Sequence, residues 1–228
     1  LFWSWFRLPE TRPEDRRTPI NLKAVSKAYW TVFKTREALG YMMASGVIFG
    51  ALIAYISASE QIYTDIFKLS AEQFTLCFAI IAGSMSVATF SNSRLVERLG
   101  QRLISHIALI GFTVFALILV AQTIIFGPNL IAFMVLFSLV FMNFGFMGPN
   151  FNSMAMEPLG EVAGYASGVL GFASTTMAAL IGGSIAHQYN GSMVPVLWGF
   201  VVLGVVAFVI VFITERFKLF APGEPDAS

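Results

Sequence analysis

Charged residues are scarce in this 228-residue chain: only 12% of its residues are charged, whereas 57% are hydrophobic. A soluble domain carries about 25% charged residues, so this chain has too few polar side chains to cover a water-soluble globule. This scarcity excludes an ordinary soluble enzyme and a disordered tail, and it indicates a helical membrane protein. The net charge of +1 gives no attraction for nucleic acid. The single cysteine, Cys77, excludes an intrachain disulfide.

Six apolar stretches are long enough to cross a bilayer as helices, since a span needs about 20 mostly apolar residues. They cover residues 38–59, 73–90, 103–126, 130–151, 162–187 and 193–214. We therefore predict an all-α, polytopic membrane protein with a six-helix transmembrane domain over residues 38–214. Residues 1–6 are mostly aromatic and are followed by Arg7, and the chain does not begin with Met. We interpret these residues as the cytoplasmic end of a preceding helix in a longer polypeptide.

Basic residues divide unequally between the two sides that six alternating spans create. Side A receives residues 7–37, 91–102, 152–161 and 215–228, and side B receives residues 60–72, 127–129 and 190–192. Of the 14 Lys and Arg residues, 13 lie on side A and only Lys68 lies on side B. The positive-inside rule then predicts that side A, with both chain ends, faces the cytoplasm of a bacterial-type inner membrane.

The polar segment 7–37 divides into a linker rich in proline and charge and a stretch with helical periodicity. Thr18 is suited to cap a helix and Pro19 to begin it. Apolar residues then recur on one side of such a helix, namely Ile20, Leu22, Val25, Tyr29, Val32 and Phe33. The pattern predicts a short amphipathic helix over residues 19–34 that lies along the inner membrane surface. The alternative is a mobile linker with accidental periodicity.

Ionisable residues are nearly absent from the apolar spans, where a proton-carrying group would be expected. No span centre holds Asp, Glu, Lys or Arg, and His106 lies near the start of the third span. We interpret His106 as an interfacial or packing residue. A proton relay needs a buried group whose pKa can move, so we expect the main proton site to lie outside this chain.

Enzymatic chemistry finds little support in the sequence. An intramembrane serine protease needs a G-x-S-G setting with a facing His, but residues 164–168 have one residue too many between Gly164 and Ser167. His106 and His187 lie on different spans, and Cys77 has no neighbouring ligand residue. We therefore predict that the chain is not an enzyme and holds no metal or organic cofactor.

Small residues form a second pattern, which indicates helices that pack closely or move. The fifth span carries Gly164, Gly168 and Gly171 at spacings of three or four, and this leaves one face nearly bare. The fourth span ends near Gly148 and Pro149, which weaken a helix. We predict that these five residues act in helix packing and gating; the alternative is a static packing seam.

A short charged segment joins the second and third spans. Residues 93–102 have the sequence Ser-Arg-Leu-Val-Glu-Arg-Leu-Gly-Gln-Arg, in which Gly100 supplies a tight turn. Glu97 can form charge-assisted hydrogen bonds with Arg98 and Arg102 across the inner surface. We predict a conformational-latch loop built from Ser93, Glu97, Arg98, Gly100 and Arg102, and ordinary positive-inside anchoring is the alternative.

Three stretches resemble the C-terminal half of a Major Facilitator Superfamily transporter, specifically of the Bcr/CflA-like multidrug/proton antiporter branch. Residues 8–11 (Leu-Pro-Glu-Thr) resemble the motif that follows the sixth helix of such transporters. Residues 93–102 resemble the superfamily's G-x-x-x-D-R-x-G-R-R loop and depart from it at Ser93, Glu97 and Gln101. Residues 149–158 and 163–168 resemble the branch's connection between the tenth and eleventh helices.

The resemblance implies that the six spans are helices seven to twelve of a twelve-helix protein, arranged as two nested three-helix inverted repeats. It implies proton-coupled efflux of small hydrophobic or cationic compounds by alternating access, with the proton site in an N-terminal six-helix half. The expected partners are the lipid bilayer, that half or a second copy of the chain, and small lipophilic substrates. A half-size homodimeric transporter and a non-transporting membrane scaffold are the alternatives.

The resemblance also places a substrate cavity between the first and fourth spans, with the second and fifth spans beside them. Aromatic and methionine side chains suit the binding of varied lipophilic compounds. The candidate cavity residues are Met42, Gly46, Phe49, Ile53 and Tyr55 of the first span and Phe141, Asn143 and Phe144 of the fourth.

Overall fold

The computed structural model describes residues 6–7 and 22–220, and these residues form helices and short connections. Most of the predicted helix end 1–6, the Leu-Pro-Glu-Thr stretch and the start of the predicted helix 19–34 lie outside the described residues, as do residues 221–228. Within the range 22–220, the α-helices are α1 (Leu22–Lys34), α2 (Arg36–Gln61), α3 (Ala71–Leu99), α4 (Gln101–Phe126), α5 (Leu130–Met156), α6 (Ala163–Ala186) and α7 (Val194–Thr214).

Six of these helices, α2 to α7, are long and apolar enough to cross a membrane. α2 continues into a π-helical turn at Ile62–Ile66, and α5 continues into a 3₁₀ turn at Glu157–Val162. The predicted all-α fold with six spans is therefore confirmed for the described part of the chain. α1 occupies most of the segment in which an amphipathic helix is predicted, and its position on a membrane surface stays a prediction.

Local sequence signals set where several helices begin and end. Ser70 and Gln73 form a capping box at the start of α3, in which each side chain accepts a hydrogen bond from the other residue's backbone N–H. Asn129 caps α5 in the same way by accepting a hydrogen bond from a backbone N–H. Gly100 and Gly127 have φ angles of 78° and 79°, a left-handed conformation that favours glycine at these two connections.

The charged segment after the second span is largely helical, in contrast to the predicted loop. α3 runs to Leu99, well beyond the predicted end of the span at Phe90, and α4 begins at Gln101. Gly100 alone separates the two helices. Hydropathy marks where a helix leaves the apolar layer, and the helix continues past that point while its backbone hydrogen bonds persist. The predicted latch loop is therefore mostly the last turns of α3.

α5 passes through Pro149 without ending, although Gly148 and Pro149 are predicted to weaken it. Proline lacks the N–H that would bond to the carbonyl of Gly145, four residues earlier. The hydroxyl of Thr89 on α3 donates to that carbonyl across 3.2 Å. Side-chain donors of this kind allow proline within a membrane helix, and here the neighbouring helix supplies the missing hydrogen bond.

Paired amides strengthen the same contact between α3 and α5. The Nδ2 atom of Asn92 lies 3.2 Å from Oδ1 of Asn150, and Nδ2 of Asn150 lies 2.9 Å from Oδ1 of Asn92. Both side chains are buried, so each amide satisfies the other away from water. The contact holds α5 in place directly after its proline.

Helix contacts repeat between the first three spans and the last three. α2 packs against α6 and α7, and its counterpart α5 packs against α3 and α4. α2 also contacts α5, and α4 contacts α7. The same set of contacts results when α2, α3 and α4 are exchanged with α5, α6 and α7 in that order. Because each triplet has three spans, the second triplet starts on the opposite side of the membrane and runs in the opposite direction. The arrangement is that of two inverted three-helix repeats.

α2 lies at the centre of the bundle, whereas α3 and α6 are largely uncovered. In the most apolar windows of these helices, 67% of α2 is buried, against 11% of α3 and 22% of α6. α2 and α6 approach each other closely at glycines, which have no Cβ atom. A Cβ atom on Gly46 would clash with Met177, and one on Gly182 would lie 2.6 Å from the carbonyl oxygen of Gly50.

Candidate functional site

A cavity of about 470 Å³ lies among four helices, α2, α3, α5 and α6. The wall residues of α5 run from Phe144 to Asn152, in the half of that helix toward side A, so the cavity extends from the middle of the bundle toward side A. The wall includes Ser45, Phe49, Met85, Thr89, Phe144 and Ser174. Among the described residues that line the cavity, none is Asp, Glu, Lys, Arg or His.

Two phenyl rings form the aromatic part of the wall. The rings of Phe49 and Phe144 meet edge to face, with centroids 5.4 Å apart and planes inclined by 74°. Phe49 keeps 38% of its surface exposed, whereas Phe144 is buried. Part of the Phe49 ring therefore remains available to an apolar molecule, while Phe144 supports the ring from behind.

Hydroxyl groups form the polar part of the wall, and two of them already have partners. Thr89 donates to the carbonyl oxygens of Met85 at 3.0 Å and Gly145 at 3.2 Å. Ser174 donates from α6 to the carbonyl oxygen of Met42 on α2, across 3.3 Å. These bonds connect the helices around the cavity and leave the two hydroxyls little capacity to donate to a ligand.

The structure places only two of the eight predicted cavity residues in the cavity wall, namely Phe49 and Phe144. Tyr55 and Phe141 lie in a buried aromatic cluster instead, with ring centroids 5.0 Å apart. Asn143 faces α4, where it donates to the carbonyl oxygen of Leu139 and stands against Gly111. These three residues belong to the packing of the bundle.

The other three predicted cavity residues lie on α2 and face α6. Met42 is buried and accepts a hydrogen bond through its carbonyl, Gly46 stands against Met177, and Ile53 is next to Gly182. α2 is apolar around most of its circumference, so a spacing of three or four identifies residues on one side without telling which neighbour that side meets. The position of the cavity wall on α2 is therefore set by tertiary packing.

Sequence reasoning missed the cavity residues Ser45, Thr89 and Ser174. A usable signal was present for Ser45 and Ser174, because each is a hydroxyl residue well inside an apolar span, whereas Thr89 lies at the end of the predicted span 73–90. Polar groups at that depth face the interior of a bundle and not lipid. This signal identifies Ser45 and Ser174 but not Thr89.

The predicted latch residues separate into an exposed group and one paired residue. Ser93, Glu97, Arg98 and Gly100 are exposed at the end of α3. Arg102, at the start of α4, does not pair with Glu97. Among the described residues its carboxylate partners are Glu215 at 3.3 Å and Glu157 at 3.9 Å. The expected bond between Glu97 and Arg102 is replaced, because the ends of α5 and α7 bring these two carboxylates closer.

Arg102 belongs to a larger polar network on side A. The hydroxyl of Tyr41, at the start of α2, donates to Glu215 across 2.6 Å and lies 3.3 Å from Nε2 of His106. The backbone N–H of Phe220 donates to Nδ1 of His106 across 3.3 Å. His106 is fully buried, so it packs inside the bundle and also bonds at both ring nitrogens. The network ties together the side A ends of α2, α4, α5 and α7.

A smaller contact joins helices on side B. Tyr189, between α6 and α7, donates from its hydroxyl toward the carboxylate of Asp65 at 3.3 Å and the carbonyl of Gln61 at 3.4 Å. Partial burial and the neighbouring negative charge of Asp65 raise the pKa of Tyr189. The phenol donates both hydrogen bonds and holds the end of α2 to this connection.

The glycines predicted to act in packing and gating do not form the helix seam. A Cβ atom on Gly148, Gly164, Gly168 or Gly171 would meet no atom within 4 Å in the described part of the chain. Gly148, Pro149 and Gly171 line the cavity, whereas Gly164 and Gly168 are exposed on α6. The close helix contacts use other glycines, and a gating role for these five residues stays a prediction.

Known proteins resemble the chain over most of its length. Residues 1–183 match the family described as Major Facilitator Superfamily. A bicyclomycin resistance protein homolog of Haemophilus influenzae is 29% identical over 222 residues, which cover 93% of this chain and 53% of that protein. The uncharacterized MFS-type transporter YdgK of Bacillus subtilis is 30% identical over 190 residues, which cover 81% and 44% respectively. The chain spans about half the length of these curated relatives.

Proposed function

The chain belongs to the Major Facilitator Superfamily, whose members are membrane transporters and not enzymes, and we propose that it is the six-helix C-terminal half of a proton-coupled efflux transporter. The resemblance indicated by the sequence motifs is thereby confirmed at the level of the family. In the proposed function this half and an N-terminal six-helix half rock about a shared midplane site, so that the site opens to each side in turn. The double length of the relatives supports such an arrangement.

The cavity among α2, α3, α5 and α6 is the observation that carries this proposal. Its volume of about 470 Å³ suits a small organic molecule, because pockets for such ligands are about 300–1,000 Å³ and mostly apolar. Phe49, Phe144 and Met85 offer apolar contact area without fixing the shape of the ligand. We therefore propose small hydrophobic compounds, including lipophilic cations, as substrates. The name of one relative, which refers to bicyclomycin resistance, supports outward export.

We assign proton coupling to the other half of the transporter. The described residues that line the cavity include no ionisable side chain, and a proton carrier needs a group whose charge can change inside the membrane. The ionisable cluster of Tyr41, His106 and Glu215 lies on side A and is not part of the cavity wall, and it serves as a brace in this proposal. A carboxylate in the N-terminal half would then bind the coupling proton.

The uncovered faces of α3 and α6 provide the surface for that other half. These are the least buried of the six spans, and α6 presents Gly164 and Gly168 there with open space above both. Small residues allow the backbone of a partner helix to come close. In this proposal side A and both chain ends face the cytoplasm, as the distribution of basic residues favours.

Transport by the reconstituted full-length protein tests the proposal. Liposomes with an acidic lumen and a neutral exterior should accumulate a fluorescent hydrophobic dye, because outward proton flow drives the dye inward. Phe49→Ala should lower the initial rate severalfold, since it removes the exposed ring of the cavity wall. Phe126→Ala, which changes an exposed ring at the side B end of α4, should keep the wild-type rate.

Three outcomes would overturn parts of the proposal. Accumulation that persists after a protonophore collapses the gradient would remove proton coupling. Liposomes that never accumulate the dye would leave a non-transporting scaffold as the better description. A stable homodimer of this chain that transports by itself, identified by native mass spectrometry, would favour the half-size transporter.

A further inference from the structure

Ser45 differs from most other hydroxyl residues in these helices. A serine or threonine in a helix ordinarily donates to a carbonyl one turn earlier. Ser59 on the same helix does so across 3.2 Å, and Ser84 on α3 does so across 2.6 Å. The Oγ atom of Ser45 is buried and has no hydrogen-bond partner among the described residues. The residue is only 7% exposed, and it lines the cavity.

The other polar residues in the wall do not share this property. Thr89 and Ser174 already donate to carbonyl oxygens. Thr175 and Asn152 are exposed, so water reaches them. A buried polar group without a partner is unfavourable, and a molecule that bonds to it gains the missing interaction. Ser45 is therefore the group in the described wall whose hydrogen-bonding capacity is both buried and unused.

The charge of the wall limits what can bond to Ser45. None of the described lining residues is ionisable. A charged group placed there would lose its hydration and gain no opposite charge in return. An uncharged polar group has a much smaller penalty, which a hydrogen bond to Ser45 offsets.

We propose that Ser45 is the hydrogen-bonding contact of this cavity, and that the part of the substrate held here is uncharged and carries a hydroxyl, carbonyl or amide group. The inference rests on the proposed function and narrows its substrate class. The apolar body of the substrate packs on Phe49 and Met85, while the Ser45 hydroxyl donates to or accepts from its polar group. Any cationic group of a substrate lies in the other half of the transporter.

Three naphthalene compounds with one shared apolar body test this inference. They are 1-naphthol, which is neutral and hydrogen-bonding, 1-methylnaphthalene, which is neutral and apolar, and 1-naphthylmethylammonium, which is cationic. Calorimetric titration of the detergent-solubilised full-length protein gives their affinities, with protein-free micelles as the blank. Wild-type protein, Ser45→Ala and Ser59→Ala are compared. Ser59 is the matched control because it is buried on the same helix, its hydroxyl has a partner, and it does not line the cavity.

Ser45→Ala should weaken 1-naphthol binding about five- to tenfold and leave the affinity for 1-methylnaphthalene unchanged. Binding of 1-naphthylmethylammonium should not depend on Ser45. Ser59→Ala should bind all three compounds as the wild type does. The melting temperature of Ser45→Ala should equal or exceed that of the wild type, since the lost hydroxyl has no internal partner. Ser45→Cys, which keeps the size but donates weakly, should show the same selective loss and covers the case in which the alanine variant fails to fold.

Several results would overturn the inference: no binding of 1-naphthol by the wild type, an unchanged affinity in Ser45→Ala, or an equal loss for 1-naphthol and 1-methylnaphthalene. These titrations use no gradient, so they separate the two proposals. Selective Ser45-dependent binding without gradient-driven transport would overturn the proposed function and keep Ser45 as the hydrogen-bonding contact of the cavity. Gradient-driven transport together with 1-naphthol binding that does not depend on Ser45 would keep the proposed function and overturn the role of Ser45.

Discussion

Two adjacent glycines of α6 have opposite surroundings, and they test how closely α2 and α6 pack. A Cβ atom on Gly182 would lie 2.6 Å from both the Gly50 carbonyl oxygen and the Ile53 Cβ, whereas one on Gly183 would meet nothing described within 4 Å. Gly182→Ala should lower the free energy of unfolding by about 1–3 kcal/mol, because the helices must move apart. Gly183→Ala should not lower it, since alanine is the better helix former. Thermal unfolding of the full-length protein in detergent measures both.

Equal losses at the two positions would contradict this assignment of the α2–α6 contact. The two glycines also show that the sequence alone does not identify the face of α6 that packs against α2. Gly164, Gly168 and Gly171 share the helical spacing of a packing face, yet Gly182 is the one that meets α2. α6 carries small residues around much of its circumference, so their spacing shows which residues stand together but not which neighbour they face.

Among the helices, α5 depends on α3 at its proline. Thr89→Val removes the hydroxyl that donates to the Gly145 carbonyl, and we expect a loss of about 1 kcal/mol in the free energy of unfolding. Pro149→Ala restores the backbone N–H that belongs to that carbonyl. Thr89→Val should therefore cost less when it is combined with Pro149→Ala, and a double-mutant cycle by chemical unfolding in detergent measures the difference.

Thr75→Val is the control for that cycle. The Thr75 hydroxyl is exposed and donates to the carbonyl of Ala71 within its own helix. Its removal should leave the free energy of unfolding nearly unchanged, whether position 149 carries proline or alanine. Strict additivity of Thr89→Val and Pro149→Ala would mean that the two groups do not act on the same carbonyl.

The side A ends of three helices, α2, α4 and α7, meet at Glu215. Its carboxylate accepts from Tyr41 at 2.6 Å and from Arg102 at 3.3 Å, in a largely buried setting. Glu215→Gln should lower the free energy of unfolding of the full-length protein by about 2 kcal/mol, because a charge-assisted hydrogen bond is lost. Glu97→Gln, at an exposed position, should change it by less than about 0.5 kcal/mol. Chemical unfolding in detergent that ranks the two variants equally would refute the role of Glu215 as a brace.

Helix number and helix ends differ in how far the sequence determines them. The six spans follow from length and apolarity, and α4 ends at Phe126 as its apolar stretch does. The predicted span 73–90 gives no sign that α3 continues to Leu99, because the segment after Phe90 contains charged residues and yet remains helical. The network around Arg102 was missed for a related reason: Tyr41, Glu157 and Glu215 lie far apart in sequence and meet only when the helix ends come together.

For the whole molecule, the two-sided distribution of charge determines how the bundle sits in a membrane. Side A holds 13 of the 14 basic residues, and basic loops resist transfer across the membrane during insertion. The substitution Gln188→Cys marks side B, and Glu97→Cys marks side A; both positions are exposed. Cys77→Ser removes the single cysteine of this chain, and any cysteine elsewhere in the full-length protein is replaced by serine as well.

Labelling of the full-length protein in bacterial cells with a membrane-impermeant maleimide then measures the orientation. Gln188→Cys should react in intact cells, because side B faces outward. Glu97→Cys should react only after the membrane is permeabilised, because side A faces the cytoplasm. The opposite pattern would reverse the orientation, and reaction of both sites in intact cells would mean that the side A end of α3 lies outside. Either result would contradict the positive-inside interpretation, and with it the outward direction of the proposed transport.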